Sequence, residues 1–503
     1  MSIVYINQFF PILIVATPLV FAFFVMMFHW VDRRICLPLT AFALLVSLVA
    51  SLVTLYSVVH YGLIEYKLGG WPPPIGIEYR IDTLNAIVLV LITVIALLNL
   101  FSSFNQVSID LPEKTGAFYS LYLLFVTGLL GVVITGDLFN LYVLLEITSI
   151  TAYAQIALGD PKRGPIAALN YVFIGVIGAS FYLLGVGYLY IMTGSLNMLD
   201  VARLIAPLHH SQAIFTAFVF CLVGVWIKMA LFPLHIWLPN AYTYAPTTSS
   251  RVIAPLMTKV MVYVMIRLMF TVFGFDYLFK TLHLANFVVF LASLAIIFGG
   301  LMALSQNNLK KMLTYIIVSE IGYMVGGAWL GNKAGLIGAI LHIINDGFMT
   351  FALFLAVGNF AWRIKDLTID NLKTIFQTMP WTSAGFVLAA LSIIGIPPTC
   401  GFFSKWYLVL GAFEAKQYFF LISLILSSLI NVILFFRIFE KSLFGFNHHS
   451  EDVHLSSGGT EIKEAPLNMI IGLWMVSFGL IALGFYSGGI VHNFILPFVG
   501  KGF

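Results

Sequence analysis

Apolar runs of about 20 residues, separated by short polar stretches, recur from one end of the sequence to the other. A helix of that length crosses a hydrocarbon layer of roughly 30 Å. Inside such a layer the backbone has no water to bond, so it must satisfy itself as a helix or in a closed barrel. The runs are continuous rather than alternating, which excludes barrel strands. The pattern predicts an all-α polytopic membrane protein of about fourteen spans, near 9–30, 36–60, 82–104, 116–135, 138–158, 166–193, 213–232, 247–273, 282–304, 309–330, 334–360, 384–410, 417–440 and 467–488. The longest polar interruption, 441–466, holds His448, His449, Glu451 and Asp452 and reads as a solvated connection.

Two spans are interrupted near their middle. The seventh reads Trp226-Ile-Lys-Met-Ala-Leu-Phe-Pro-Leu-His-Ile-Trp-Leu-Pro239, and the twelfth carries Gly395-Ile-Pro-Pro-Thr-Cys-Gly401. Proline removes a backbone donor and crowds the carbonyl one turn back, so both helices should break there. Broken backbone is tolerated at membrane depth only where protein or a hydrated cavity covers it. Paired interruptions in two halves are the mark of an inverted-repeat transporter. Lys228 and Lys405, 177 positions apart, flank the two breaks, and Glu146 and Glu320 lie 174 apart. That offset corresponds to five spans, an odd number, which turns the second copy upside down. The expected division is 1–110 for three N-terminal helices, 111–275 and 276–445 for two inverted five-helix repeats, and 446–503 for a cytoplasmic loop, the last helix and a tail.

Composition agrees with a membrane as solvent. Of 503 residues, 61% are hydrophobic and 9% charged, against roughly 25% charged in ordinary soluble domains. The net charge of +4 is scattered, with no basic arm, so nucleic acid is not an expected partner. Cys36, Cys221 and Cys400 lack metal spacing and read as small apolar fillers, and no cofactor or metal site is expected. No basic residue precedes the first run and no small-residue cleavage site follows it, so it reads as a retained span. Lys and Arg in alternate loops divide about 14 against 7, with Arg33, Lys162, Arg251, Lys310, Lys311, Lys365 and Lys463 in the richer set. The richer set is expected to face the cytoplasm, which puts both termini outside the prokaryotic inner membrane.

The spans retain Glu146, Lys228, Lys259, Glu320, His342, Asp346 and Lys405. An ionised Lys or Asp at the bilayer centre costs roughly 2.5–3.5 kcal/mol on insertion scales. Such groups must face the bundle interior, pair, or shed their charge. One reading is a set of ion pairs that clamp helices together. The other is a proton relay, favoured by the number of groups and their spread over separate spans. His235 comes just after Pro233 at the first break and reads either as the hand-off between Lys228 and Lys259 or as a histidine that satisfies the broken backbone. His342 and Asp346 share one helix face and are too few for a structural metal site. Asp137 is expected to cap the fifth span and, with Glu320, to be an accessory of the relay. Lys310 and Lys311 read as anchors at a helix end, and Arg267 as a snorkelling side chain without a role.

The runs Gly136-Asp-Leu-Phe-Asn-Leu-Tyr-Val-Leu-Leu-Glu146, Lys228 with Phe-Pro-Leu-His-Ile-Trp-Leu-Pro239, Ala245-Pro-Thr-Thr-Ser-Ser250 and Ser305-Gln-Asn-Asn-Leu-Lys-Lys311 resemble the antiporter-like subunits of respiratory complex I. The first is most similar to the D subunit of Mrp-type multisubunit sodium/proton antiporters, whose relatives also serve membrane-bound hydrogenases. The resemblance spans essentially the whole chain. It implies two inverted five-helix units, each with a proton half-channel, joined by a hydrophilic axis. It also implies partnership with other membrane subunits and movement of protons, with Na⁺ as the candidate second ion. Glu146 would couple to a neighbouring subunit, Lys228 would pair with it, Lys259 would bridge, and Lys405 would exchange protons with the outside. The competing expectation is a proton- or sodium-pumping subunit of a quinone or hydrogenase complex, with redox cofactors on other chains. Two departures stand out. Relatives often carry His-x-x-x-His-x-x-x-Lys where this chain has His342, Asp346 and Thr350, and Glu320 stands where they often have an amide or small residue.

Overall fold

The structure, a computed structural model, describes residues 9–364, 366–373, 375–444 and 464–502. Every expected span coincides with helix. The helices are α1 (Phe10–His29), α2 (Cys36–Tyr61), α3 (Thr83–Asp110), α4 (Thr115–Ile134), α5 (Leu138–Ala157), α6 (Gly164–Thr193), α7a (Gln212–Met229), α7b (Trp237–Tyr244) and α8 (Thr247–Arg267). They continue as α9 (Ala285–Leu304), α10 (Leu309–Trp329), α11 (Lys333–Arg363), α12a (Pro380–Ile394), α12b (Cys400–Glu414), α13 (Tyr418–Phe444) and α14 (Leu467–Ile490). Among the described residues twelve helices are long and apolar enough to cross a membrane, so the chain is a multi-pass membrane protein. The polar interruption with His448, His449, Glu451 and Asp452 lies outside the described residues, as do Lys365 and Lys463.

Local chemistry sets where the helices begin and stop. Asp82, Asp137, Asn308 and Asn332 each accept a backbone N–H in the first turn of the helix that follows, and Asn197 does the same for a further short helix, Met198–Ile205, satisfying donors with no intrahelical partner. The helix α7a ends on Ala230 in the left-handed conformation (φ 61°), and the chain resumes as helix at Trp237. Its counterpart α12a ends on Gly395 (φ 94°), where glycine carries no Cβ penalty, and α12b starts at Cys400. Both expected breaks are present. The twelfth span starts four residues before the expected 384, with Pro380 at a first helical position, and ends at Glu414, four beyond the expected 410.

Contacts between loops keep alternate loops together. Arg33 donates to the Pro112 carbonyl at 3.0 Å, the Asp160 N–H to Tyr244 O at 3.0 Å, Lys310 to Ala245 O at 2.7 Å, and Arg437 to Leu304 O at 3.0 Å. The opposite set is joined by the Gly136 N–H to Glu78 O at 2.9 Å, Asn332 to Gly411 O at 2.7 Å and Gln417 to Asn286 at 2.7 Å. On that second face the chain forms a short hairpin, β1 (Ile64–Lys67) antiparallel to β2 (Glu78–Ile81), which the apolar pattern did not announce. Two backbone bridges repeat at a fixed interval: Asp137 with Asn197, and Asn308 with Thr368, a shift of 171 at both ends.

Three basic residues sit otherwise than expected. Arg251 is not in a loop but in the second turn of α8, fully buried, with Nη2 donating to Leu355 O at 3.4 Å and Asn359 Oδ1 at 3.3 Å. Lys310 is no exposed anchor, because its ammonium turns inward to the Ala245 carbonyl. Arg267 does not snorkel: both terminal nitrogens of its guanidinium meet the Asp82 carboxylate, at 2.7 and 2.5 Å, and Nε donates to the Tyr263 hydroxyl at 2.8 Å. For Lys310 and Arg267 a nearby acceptor outweighs the pull of the interface, whereas Arg251 keeps Nε and Nη1 without a partner among the described residues.

Arg267→Ala should lower stability in detergent by roughly 2 kcal/mol, the range of hydrogen bonds to charged groups, read from the melting temperature. Burial, and next the neighbouring Glu65, hold the Glu78 carboxyl above its ordinary range, outside the spans on β2. A carboxyl raised on folding stabilises the folded state below its unfolded pKa, and that contribution is lost as pH rises through the folded value. Glu78→Gln should therefore melt above the unmodified protein near about pH 8 and lose that advantage near about pH 4.

Candidate functional site: a buried polar axis

The titratable residues of the spans gather into three clusters along the bundle. In the first, Lys228 at the end of α7a is 1% exposed and donates to Glu146 Oε1 at 3.0 Å and Ser149 Oγ at 2.8 Å, both on α5. Glu146 is the outer member, its side chain 22% exposed on a flank that also shows Phe139, Val143 and Ile150. In the second, Lys259 on α8 lies 2.9 Å from Asp346 Oδ2 on α11. That approach is a charge contact rather than an aligned hydrogen bond, and the ammonium also reaches Thr350 Oγ1 and Ala254 O at 3.3 Å. Thr350 in turn donates to Asp346 Oδ1 at 2.8 Å. Thr350, which carries no proton charge, thus completes the shell of the carboxylate beside it.

The third cluster unites α10, α11 and α12b. His342 Nε2 meets Glu320 Oε2 at 2.6 Å, and its Nδ1 meets Ser404 Oγ at 2.9 Å, all three buried. Beside Ser404, Lys405 donates to the Ile393 carbonyl at 2.5 Å and stands 5.0 Å from the centre of the Tyr323 ring. Ile393 and Ile394 end α12a, so their carbonyls lack helical partners and offer the ammonium a negative pole. His342 and Asp346, one turn apart, tie the second and third clusters into one run on α11, a helix buried over nearly its whole length.

Two of the sequence-predicted residues stand apart. His235 does lie in the break after α7a, but its ring packs on Phe232 and faces Tyr315, with Nδ1 unpartnered, and it makes no described contact with Lys228 or Lys259. Pro233 and Ile236 beside it are exposed, so the break turns this histidine to the flank. Asp137 caps α5 as expected, accepting the Asn140 N–H at 2.7 Å, at the helix end rather than on the axis. The two halves also differ in detail. Lys228 precedes its break and Lys405 follows its own, so their sequence spacing does not make them equivalent in place. Counted from the caps Asp137 and Asn308, Glu320 stands twelve residues in, the depth of Ser149, whereas Glu146 stands nine in.

The structure adds groups that the pattern of spans hid. A cavity of about 520 Å³ opens on the face of the richer basic loops, between Asp110, Asp160, Asp366, Tyr244 and Lys310. Lys310 and Arg251 passed as loop charges because each lies within two turns of a helix start, where a sequence shows no depth.

The sequence matches the family described as NADH:quinone oxidoreductase/Mrp antiporter, transmembrane, over residues 135–431, more than half of the chain. The chain belongs to this family. As a member of it, the chain is 40% identical to the N subunit of NADH-quinone oxidoreductase from Desulforudis audaxviator, over 96% of this chain and 97% of that one. It is 32% identical to the D subunit of a Na(+)/H(+) antiporter from Alkalihalophilus pseudofirmus, with 88% of each covered. Among solved structures, a chain of the archaeal membrane-bound sulfane sulfur reductase superposes with a TM-score of 0.87 at 26% identity, covering 98% of this chain and 99% of that one. The residues matched to the family enclose all three clusters.

Asp346→Ala leaves Lys259 buried and unpaired, and should cost roughly 3–5 kcal/mol in thermal or denaturant melting. Joint replacement by Lys259→Met and Asp346→Leu should recover most of that loss, because an apolar pair needs no desolvation.

Proposed function

We propose that this chain is the proton-translocating membrane subunit of a multisubunit monovalent cation/proton antiporter, with Glu146, Lys228, Lys259, Asp346, His342, Glu320 and Lys405 as its relay. The observation that carries the reading is the arrangement of the clusters: each buried cation has its counter-charge or carbonyl on a different helix, and α11 links the second cluster to the third. A clamp needs one such pair. A relay needs neighbours. A proton gained by Glu146 cancels its attraction for Lys228, which changes the field at the next titratable group, and low dielectric makes that coupling strong. The partial exposure of Glu146 on the flank suits contact with a neighbouring membrane subunit. The fixed shift of 171 between the two backbone bridges supports two inverted five-helix units, 111–275 and 276–445. The excess of Lys and Arg on one set of loops supports a cytoplasmic placement for that face and both termini outside.

A second reading is favoured by one observation, the 40% identity with the N subunit of NADH-quinone oxidoreductase over nearly the whole chain. On that reading the same relay is powered by electron transfer in partner chains. The two are separated by reconstituting the whole complex in liposomes: flux of Na⁺ driven by a pH gradient marks an antiporter, and acidification driven by an electron donor marks a redox pump.

Lys228→Ala should abolish transport in that preparation with the complex still assembled, because α7a ends on its own left-handed cap and does not need the ion pair to form. Full transport by the Lys228→Ala complex would remove the relay.

A further inference from the structure

Three tyrosines, each on a different element, stand between the first cluster and the cavity on the basic face. Tyr153 is on α5, one turn beyond Ser149, Tyr171 on α6 and Tyr242 on α7b. They are 8%, 0% and 0% exposed; the hydroxyls of Tyr171 and Tyr242 lack a protein partner among the described residues, and that of Tyr153 has only Ser149 beside it. A buried hydroxyl without a protein partner lowers stability unless water serves it. The rings are held closely. Tyr153 meets Tyr171 edge-on at 4.6 Å, Tyr171 stacks on Trp237 at 3.8 Å and 4°, and Trp237 meets Tyr242 at 6.0 Å. Trp237 is itself fixed by its indole N–H, which donates to the Ile227 carbonyl next to Lys228. Gly175 leaves room for the Tyr153 hydroxyl, since a Cβ there would stand 2.0 Å from its oxygen.

One end of this row lies beside the relay, and the residues that follow its other end line the cavity on the basic face. The Tyr171 hydroxyl is within electrostatic reach of those of Tyr153 and Tyr242 and of the Glu146 carboxylate. Tyr153 neighbours Ser149, whose Oγ already accepts from Lys228. At the other end, Thr243, Tyr244 and Ala245, which follow Tyr242 directly, line the cavity beneath Asp110 and Asp160.

We propose that Tyr242, Tyr171 and Tyr153 form a hydroxyl chain that carries protons between the cavity on the basic face and the Lys228–Glu146 pair. The proposal rests on the relay reading and names its access route. The steps run through single waters between the hydroxyls, because a phenol both accepts and donates. At each step a hydronium on one side gives its excess proton to the phenol oxygen and becomes water, and the hydroxyl's own proton leaves to the water on the other side, which becomes the hydronium. The tyrosine is neutral before and after, and the excess charge moves one place. Na⁺ or K⁺ has no such route, because it cannot pass as an exchanged O–H.

Phenylalanine keeps the ring and removes only the oxygen, so the test separates conduction from packing. The whole complex, carrying Tyr171→Phe, Tyr242→Phe or both, is reconstituted in liposomes, and its initial transport rate, complex yield and melting temperature are measured. Each single variant should transport more slowly by roughly tenfold or more, the scale of a lost proton-transfer group. Yield and melting temperature should be unchanged, since the ring and its packing are kept. Rates within about twofold of the unmodified complex in the double variant would overturn the chain, as would a fall in yield or melting temperature, which would make the hydroxyls structural. Lys228→Ala measured alongside keeps the two ideas apart. If Lys228→Ala is inactive and the double Phe variant transports normally, the hydroxyl chain fails and the relay stands. If Lys228→Ala transports normally, the relay itself is wrong.

Discussion

A charge in hydrocarbon must find an opposite charge or a dipole on another helix, and the architecture of this protein is organised around that demand. Lys228 is answered from α5, Lys259 from α11, His342 from α10 and Lys405 from the frayed end of α12a. Each answer ties two elements that an apolar contact alone would leave free to slide, because lipid tails are as apolar as leucine and give helices little reason to associate. The helix α11 is central to the scheme. It is buried over almost its whole length and carries, within three turns, the histidine, the aspartate and the threonine that join two clusters.

The broken helices answer the same demand from the backbone side. Interrupting α12 leaves carbonyls that no helix satisfies, and Lys405 stands where they point. Interrupting α7 places Lys228 at a helix end beside Trp237, whose indole takes up a carbonyl of the last turn. The two breaks are therefore alike in cause and different in use: one supplies acceptors to its lysine, and the other leaves its lysine to a glutamate. Glu320, a turn farther from its cap than Glu146, meets a histidine instead of a lysine.

A large part of this was legible in the sequence. Apolar runs specify helices with little ambiguity, because the bilayer forbids the alternatives, and Pro233, Pro397 and Pro398 announced both breaks. The residues of the axis could be singled out for one reason: Lys228, Lys259, Glu320, Asp346 and Lys405 are costly in lipid wherever they point. Sequence position ceased to inform where depth was at stake. Arg251, Lys310 and Arg267 read as loop or interface charges, and all three prove buried and bonded. His235 read as a link and lies instead on the flank.

What the sequence by itself determined is the helical character of the spans, the two breaks and the list of groups that water could not be serving. Which groups meet was decided only by tertiary structure. A helix turns each side chain through about 100° per residue, so a small rotation against its neighbours changes which face a charge joins. Glu320 illustrates the limit. Its cost in the membrane was plain from its surroundings in the chain, yet its partnership with His342 and the Ser404–Lys405 end of α12b depends on three helices from distant stretches packing at one depth.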